Sequence, residues 1–257
     1  MQKLTIGYST LADRVGSIVA PPVHRDWGVS IVIQNPESIA WRGERLAQLM
    51  LREDIEVQEL NSLGVAKSRN KNIWLAKGEY LVFGDDDIEF DLDGLTKAIA
   101  YLDDHPQYSL LLAMARDSSG KIRKRYPKRI EKLTRFNSVK AATYEMIIRV
   151  DATRELGVRF DEEFGAGAKN YLGDEYIFIV DLLAASGKGV FVPIVIATHP
   201  EESSGSRWGT KQDRVARAAI FTRVFGKAAP LIRLAFGLRR IREIGGIKNL
   251  ALFVLAR

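Results

Sequence analysis

One apolar segment that runs straight into three consecutive carboxylates constrains the fold most strongly. Residues 78–90 read GEYLVFGDDDIEF, and their apolar part is the short run expected of a buried strand in a parallel sheet. Open α/β sheets bind ligands at the carboxyl ends of such strands, which predicts a ligand-binding edge at Asp85, Asp86 and Asp87. Alternate carboxylates from Asp85 and Asp87 suit Mg²⁺ or Mn²⁺, since these hard cations prefer oxygen ligands. A solvated acidic turn that caps the next helix explains the same residues.

Strand and helix patterns alternate along the rest of the chain. Short apolar runs predict further strands at residues 3–9, 29–34, 55–60, 108–114, 143–149 and 189–198. Apolar residues at helical spacing predict helices at residues 39–51, 65–76, 92–102 and 174–185. This alternation predicts an α/β fold with a mostly parallel, doubly wound sheet and helices on both faces.

The excess positive charge is confined to the end of the chain. Residues 227–257 contain seven basic residues and one Glu, which accounts for the whole formal charge of +6. This distribution argues against a nucleic-acid-binding protein and predicts a main domain at 1–226 followed by a basic amphipathic helical tail. Such a tail suits an anionic membrane surface. The alternative is that its apolar face packs on the main domain or on a second copy of the chain, giving a homodimer.

The sequence lacks cysteine and lacks an apolar run long enough to span a membrane, which limits the possible catalytic groups and the expected location of the protein. The sequence contains no cysteine, which excludes disulfides, thiolate metal ligands and a thiol nucleophile. No apolar run reaches the roughly 18–20 residues needed to cross a bilayer. Met1 leads directly into a predicted strand instead of a signal peptide. We therefore expect a cytoplasmic protein, with a peripheral position on the inner face of the membrane if the tail binds lipid.

Five short motifs occur in one order along the chain. They are Gly64 with Lys67–Asn70, the cluster Asp85–Asp87, FDEEFG at 160–165, Gly173-Asp174-Glu175, and His199 after the last strand. In this order they resemble the family 2 glycosyltransferases with the GT-A fold, over roughly residues 3–205. The sequences FGAGA at 164–168 and HPEESSG at 199–205 are similar to those of small bacterial enzymes of capsule and exopolysaccharide assembly.

The resemblance implies an inverting, metal-dependent transfer of a sugar from a nucleotide-diphosphate sugar, with a UDP-sugar favoured, to a hydroxyl of a glycan or lipid-linked acceptor. It places Mg²⁺ or Mn²⁺ at Asp85, Asp87 and His199, although His199 could instead simply end a strand. It assigns the general base to Glu175 or Asp174, because the family's Gly-Glu-Asp is here Gly-Asp-Glu. A helix N-cap is the structural alternative for both acids.

The resemblance also places the contacts to the nucleotide-sugar. The implied residues are Thr10, Asp13, Arg14, Asn35, Arg69, Asp85 and Asp86, and Arg69 would add positive charge near the leaving diphosphate. The family's Pro-x-Tyr-Asn is absent after the first strand. An ordinary turn explains Asn35, and the polar face of a helix explains Arg69.

Two further segments and two rival functions stay open. The strongly basic residues 116–135 suit either a solvated surface or contact with an acceptor or phosphate. Residues 201–210 suit either a lid over the donor or a plain connector.

On the same fold, a nucleotidyltransferase would need a glycine-rich basic loop after the first strand, which residues 9–16 match poorly. A non-catalytic glycan-binding module would not depend on Asp85, Asp87 and Glu175.

Overall fold

The computed structural model describes residues 2–34, 43–199 and 210–256, apart from the side chain of Arg45. Within these ranges one central sheet organises the molecule. Its strands are β1 Leu4–Leu11, β2 Trp27–Gln34, β3 Ile55–Leu60, β4 Tyr80–Asp85, β5 Glu89–Phe90, β6 Leu110–Arg116, β7 Glu131–Lys132, β8 Met146–Arg149 and β9 Gly189–Thr198.

The sheet has the order β3-β2-β1-β4-β8-β6-β9-β5, with β7 also paired to β9. Strands β1 to β4 form parallel pairs, and β6 pairs parallel with β9. Strand β8 runs antiparallel between β4 and β6, so the doubly wound sheet is mixed. Because Ser9 of β1 lies opposite Asp85 of β4, the carboxyl ends of these central strands meet at one edge. This is the edge at which the sequence predicted a ligand site.

Helices cover both faces of the sheet, as predicted. They are α1 Glu44–Met50, α2 Val65–Leu75, α3 Leu92–Asp104, α4 Val150–Glu155, α5 Asp174–Ala184, α6 Lys211–Phe225, α7 Ala229–Arg239, α8 Ile241–Ile244 and α9 Ile247–Val254. One apolar cluster contains Tyr8, Ile31 and Leu95, and a second contains Phe83 and Phe178. The two clusters lie on opposite faces because successive side chains of a strand alternate, as Val82 and Phe83 of β4 do.

Several local differences separate the structure from the sequence-based expectations; strand β6, for example, lies at Leu110–Arg116 instead of 108–114. Strand β1 does not end at Ser9 but continues to Leu11, because its pairing with β2 extends through that residue. Thr143–Glu145 is a 3₁₀ turn instead of the start of a strand, and the Glu145 carboxylate accepts a hydrogen bond from the Ala142 backbone N–H at 3.1 Å. Of the helix predicted at 39–51, the described part begins at Glu44.

The last four helices share a small apolar core of their own. Ala218 and Phe221 of α6 are buried together with Ile244 of α8 and Phe253 of α9. The predicted division after residue 226 stays a prediction, and this cluster joins residues from both sides of it. Among the described helices, each is too short or too polar to cross a membrane.

Candidate active site

The three carboxylates at the end of β4 differ in their environments. The side chains of Asp85 and Asp87 are each about a third exposed, at 35 %. Asp86 is buried, where its Oδ2 accepts a hydrogen bond from Thr10 Oγ1 at 2.9 Å and its Oδ1 lies 2.5 Å from Arg14 Nη2. Burial raises the pKa of Asp86, and the Thr10 hydroxyl and the Arg14 charge oppose that rise. Asp86 is therefore a structural member of the cluster, while Asp85 and Asp87 remain accessible to a ligand.

The extension of β1 brings Thr10 and Arg14 to this cluster. Thr10 lies next to Ser9, the residue paired with Asp85, and Arg14 lies on the 3₁₀ turn Ala12–Ser17 that follows the strand. Arg14 Nη2 also lies 3.8 Å from Asp87 Oδ2. Asp13 is exposed on the same turn. The structure thus places Thr10 and Arg14 beside the acidic cluster, and Asn35 lies outside the described residues.

Arg69 connects the acidic cluster to the start of α5. Its buried guanidinium donates from Nη2 to Asp85 Oδ1 at 2.9 Å and from Nη1 to Asp174 Oδ2. Burial acts to lower the pKa of Arg69, but the charges of Asp85 and Asp174 outweigh it, and the pKa of Arg69 is raised. A charge taken out of water needs such partners, so this guanidinium fixes two carboxylates from distant parts of the chain.

The backbone around Asp174 is shaped by two glycines with positive φ. Gly173, at φ 89°, precedes the first turn of α5, where Asp174 and Glu175 lie at the positive end of the helix dipole. Gly165, at φ 94°, lies so close that an added Cβ would be 2.8 Å from both the Asp174 Cγ and a Val65 methyl carbon. The loop backbone therefore packs directly against the ion pair between Arg69 and Asp174.

The adjacent acids Asp174 and Glu175 on α5 have different electrostatic environments. Asp174 is fixed by Arg69, as described above. Burial raises the pKa of Glu175 to about 8, and the neighbouring Asp174 carboxylate adds to the rise. A carboxyl group whose pKa lies near the working pH is well suited to accept a proton. Of the two candidates left open by the sequence, Glu175 has the properties of a general base and Asp174 those of a positioning residue.

His199 follows β9 and lies next to Asp87. Its Nε2 is 3.8 Å from Asp87 Oδ1, and its ring stacks on Tyr144 with centroids 4.8 Å apart. Arg123 Nη1 lies 2.9 Å from both His199 Nδ1 and the His199 backbone oxygen. Because a guanidinium can only donate, Nδ1 accepts this hydrogen bond, and neutral His199 carries its proton on Nε2. In this arrangement His199 presents an N–H group toward Asp87.

The accessible carboxylates of Asp85 and Asp87 fit a divalent cation. Magnesium is commonly held by one or two carboxylates together with water and substrate phosphates, and both residues offer oxygen atoms at the strand end. In the described ranges, no group of three or more His, Asp and Glu side chains is gathered in a geometry that could hold a metal. His199 could act as a ligand through Nε2 only after its proton moved to Nδ1 and Arg123 gave up that contact. Its metal role therefore stays a prediction.

Sequence reasoning missed several residues that position the site. Arg123 was noted only as part of a basic segment, and Tyr144 was predicted to lie in a strand. Asn70 exchanges two hydrogen bonds with the Phe160 backbone, at 2.7 and 3.0 Å, and so fixes the loop that leads to Gly165. Its place in the Lys67–Asn70 motif was the one available signal. Arg123 and Tyr144 have no comparable signal in the sequence, because their contact partner His199 is far away along the chain.

Comparison with known proteins finds a domain match within the sequence and solved structures with a similar fold. The model of the glycosyl transferase family 2 domain matches residues 44–161. Residues 1–349 of S. aureus TarS, solved in complex with UDP-GlcNAc, align with a TM-score of 0.63 at 14% identity, covering 98% of this chain and 82% of that one. The UDP complex of the same protein aligns with a TM-score of 0.59 at 15% identity, covering 98% and 74%. No curated protein matches this chain.

The fold and the domain match together define a glycosyltransferase with the GT-A fold. At 14–15% identity, the likeness to TarS concerns the fold alone. The likeness to the glycosyl transferase family 2 rests on the domain match, which covers residues 44–161 of this chain.

Proposed function

We propose that this protein transfers a sugar, with inversion, from a nucleotide-diphosphate sugar to a hydroxyl group of a glycan or lipid-linked acceptor. The observation that carries the proposal is the Arg69 bridge between Asp85 at the strand end and Asp174 beside Glu175. It holds a leaving-group site and a base site at a fixed separation. The UDP-GlcNAc and UDP complexes of TarS, which shares the fold, support a UDP-sugar as the donor.

The proposed reaction is a single displacement at the anomeric carbon. The acceptor oxygen forms a bond to that carbon while the bond to the diphosphate oxygen breaks, and the diphosphate leaves with the bonding electron pair. Glu175 takes the proton of the acceptor hydroxyl, which needs the carboxylate form of a group whose pKa is raised. Attack from the face opposite the leaving group inverts the anomeric configuration.

Asp85 and Asp87 would hold Mg²⁺ or Mn²⁺ against the diphosphate. When bound, the cation supplies positive charge that stabilises the leaving group. Asp86 keeps Arg14 at the same edge, and the Nε2–H of His199 is available as a hydrogen-bond donor beside Asp87. Thr10 and Arg14 thus act by positioning carboxylates, and Arg69 does the same for Asp85 and Asp174.

The tail supports contact with an anionic membrane surface, where a lipid-linked acceptor would be found. Leu231, Leu234 and Leu238 are 72%, 40% and 57% exposed on α7, and their spacing places them on one face of the helix. The tail also exposes basic residues at Lys227, Arg239, Arg242 and Lys248. Apolar area combined with positive charge favours anionic lipid. Pairing of the same face with a second copy of the chain is the alternative.

The experiment that tests the function is donor hydrolysis by the purified chain with UDP-, GDP- and dTDP-sugars in the presence of Mn²⁺ or Mg²⁺. Water replaces the acceptor in this assay, so the donor can be identified before the acceptor is known. We expect one nucleotide to be released, release to require the metal, and Asp87→Asn to abolish it. Asp104→Asn is the matched control, because Asp104 is exposed on α3 and far from the site in sequence.

Two outcomes would replace the proposal. Donor binding that persists without any nucleotide release, and that Asp87→Asn leaves unchanged, would favour a non-catalytic binding module. Release of pyrophosphate from a nucleoside triphosphate supplied with a sugar phosphate would identify a nucleotidyltransferase.

A further inference from the structure

A cavity of about 460 Å³ lies beside the candidate active site but is separate from it. Leu112 of β6, Phe191 of β9 and Leu133 contribute apolar side chains to its lining. The ring of Tyr126 stacks on Phe191 with centroids 6.1 Å apart. The lining includes no residue of the acidic cluster, of the start of α5 or of His199. The volume is within the range of about 300–1,000 Å³ that is usual for small-molecule sites.

The charged residues that line the cavity leave an excess of positive charge. They are Lys124, Arg125, Lys128, Lys140, Glu131 and Glu145. Glu145 is only 2% exposed and is neutralised locally, since Lys124 Nζ and Tyr126 Oη donate to it at 2.7 and 2.6 Å. Arg125, Lys128 and Lys140 remain exposed against a single exposed acid, Glu131. A pocket with an apolar lining and three exposed cations favours an anion that also carries an uncharged part.

Two pairs of neighbouring residues separate the cavity from the candidate active site. Arg123 contacts His199, whereas Lys124 lines the cavity. Tyr144 stacks on His199, whereas Glu145 lines the cavity. The ion pair between Lys124 and Glu145 joins the two segments on the cavity side. The segments that contain Arg123 and Tyr144 therefore contribute to both the cavity and the surroundings of His199.

We infer that the cavity binds a phosphate ester of the acceptor substrate, with the phosphate at Arg125, Lys128 and Lys140 and the uncharged part on Leu112, Leu133 and Phe191. This inference rests on the proposed transferase function. It identifies the acceptor as a phosphate-bearing molecule and gives residues 124–141 the task of recognising it. An isoprenoid phosphate carries both the charge and an apolar part, whereas a polyol phosphodiester carries the charge with a polar uncharged part, and both are probes in the test.

The test is calorimetric titration of the full chain, without donor, with farnesyl phosphate and with an oligo(glycerol phosphate). Farnesol and inorganic phosphate are the uncharged and the purely ionic controls. We expect one phosphate ester to bind more tightly than either control. The double variant Arg125→Gln/Lys128→Gln should weaken binding by about tenfold or more, as loss of hydrogen bonds to a charged group predicts. Ala141→Phe should block binding by filling the cavity, with the charges unchanged.

Arg25→Gln/Lys97→Gln is the matched control, because it removes the same charges from exposed positions outside the cavity. Binding by neither phosphate ester overturns the inference, as does binding that survives both cavity variants. Donor hydrolysis, measured separately, tells the two proposals apart. Hydrolysis without phosphate-ester binding overturns the cavity assignment alone, whereas binding that depends on the cavity without hydrolysis overturns the transferase function alone.

Discussion

The strand-end site and the helical tail are stabilised in different ways. At the strand end, charges are paired across long sequence separations, as in the contact between Arg69 and Asp174, which are 105 residues apart. Between α6 and the tail, the interior contains apolar contacts: the Phe221 ring lies tilted against Phe236, with centroids 5.0 Å apart, and edge-on to Phe253, with centroids 5.9 Å apart. Directional ion pairs fix atoms within narrow limits, whereas apolar packing is non-directional. The first region suits chemistry, and the second suits contact with another surface.

The largest effect is expected from Glu175→Gln, which removes the proposed base while keeping the shape of the side chain. The rate constant for donor hydrolysis should fall by about 10²–10⁴-fold, as is usual for loss of general base catalysis. The Michaelis constant for the donor should change little. Glu155→Gln, at an exposed position on α4, is the control and should behave as wild type. A near-normal rate in Glu175→Gln would show that another group accepts the proton.

Arg69→Met tests whether the strand-end site depends on its buried cation. Removing the guanidinium leaves the buried carboxylate of Asp174 without its partner, and such losses typically destabilise a protein by about 3–5 kcal/mol. Equilibrium unfolding in urea would measure this loss. The contrasting variant is Arg239→Met in the tail, where an exposed charge should contribute no more than about 0.5 kcal/mol. Equal effects of the two variants would remove the distinction between the two regions.

The raised pKa of Glu175 predicts opposite pH dependences for activity and stability. Its pKa rises from an ordinary 4.5 to about 8 in the folded protein. The protonated folded form is therefore favoured, and the stability gained is complete below the ordinary pKa and is lost as the pH rises toward 8. Activity should increase over the same interval as the base deprotonates. Urea unfolding at a series of pH values would measure the slope, which Glu175→Gln should flatten. An unchanged slope in that variant would contradict the assignment.

The smallest effect on stability is expected from Leu231→Ser/Leu238→Ser in the tail. Both side chains are exposed, so the free energy of unfolding should change by no more than about 0.5 kcal/mol per substitution. Cosedimentation with vesicles that contain anionic lipid should nevertheless decrease. Leu51→Ser, at a leucine after α1 that is 84% exposed, is the control. If vesicle binding persists and the variant instead changes from dimer to monomer, the exposed face serves a second copy of the chain.

The sequence predicted the main elements and the place of the site because these depend on local patterns. Strands β3 and β9 have the predicted bounds, and Asp91 caps α3 through a hydrogen bond from the Gly94 N–H at 2.9 Å. The apolar run of β4 followed by three acids was sufficient to predict the ligand edge. Periodicity and capping are properties of neighbouring residues, so a single chain reveals them.

The separate roles of Asp85, Asp86 and Asp87 could not be predicted. The burial of Asp86 depends on Thr10, which lies 76 residues away and reaches it only because β1 continues past Ser9. The order of acids in Gly173-Asp174-Glu175 likewise did not reveal which of them pairs with Arg69, which the structure shows to be Asp174. Contacts across distant elements decide such roles, and they leave no local pattern.

The space beside Asp174 has a practical consequence for mutational scanning. An alanine scan tests a position by deleting atoms, and at Gly165 there is no side chain to delete. Replacing Gly165 with alanine would instead add a methyl group 2.8 Å from the Asp174 Cγ, at a φ of 94° that alanine rarely adopts. A library that covers only truncations would therefore class this position as unimportant. Screens for inactive or altered-specificity enzymes should include substitutions that enlarge glycines near the site.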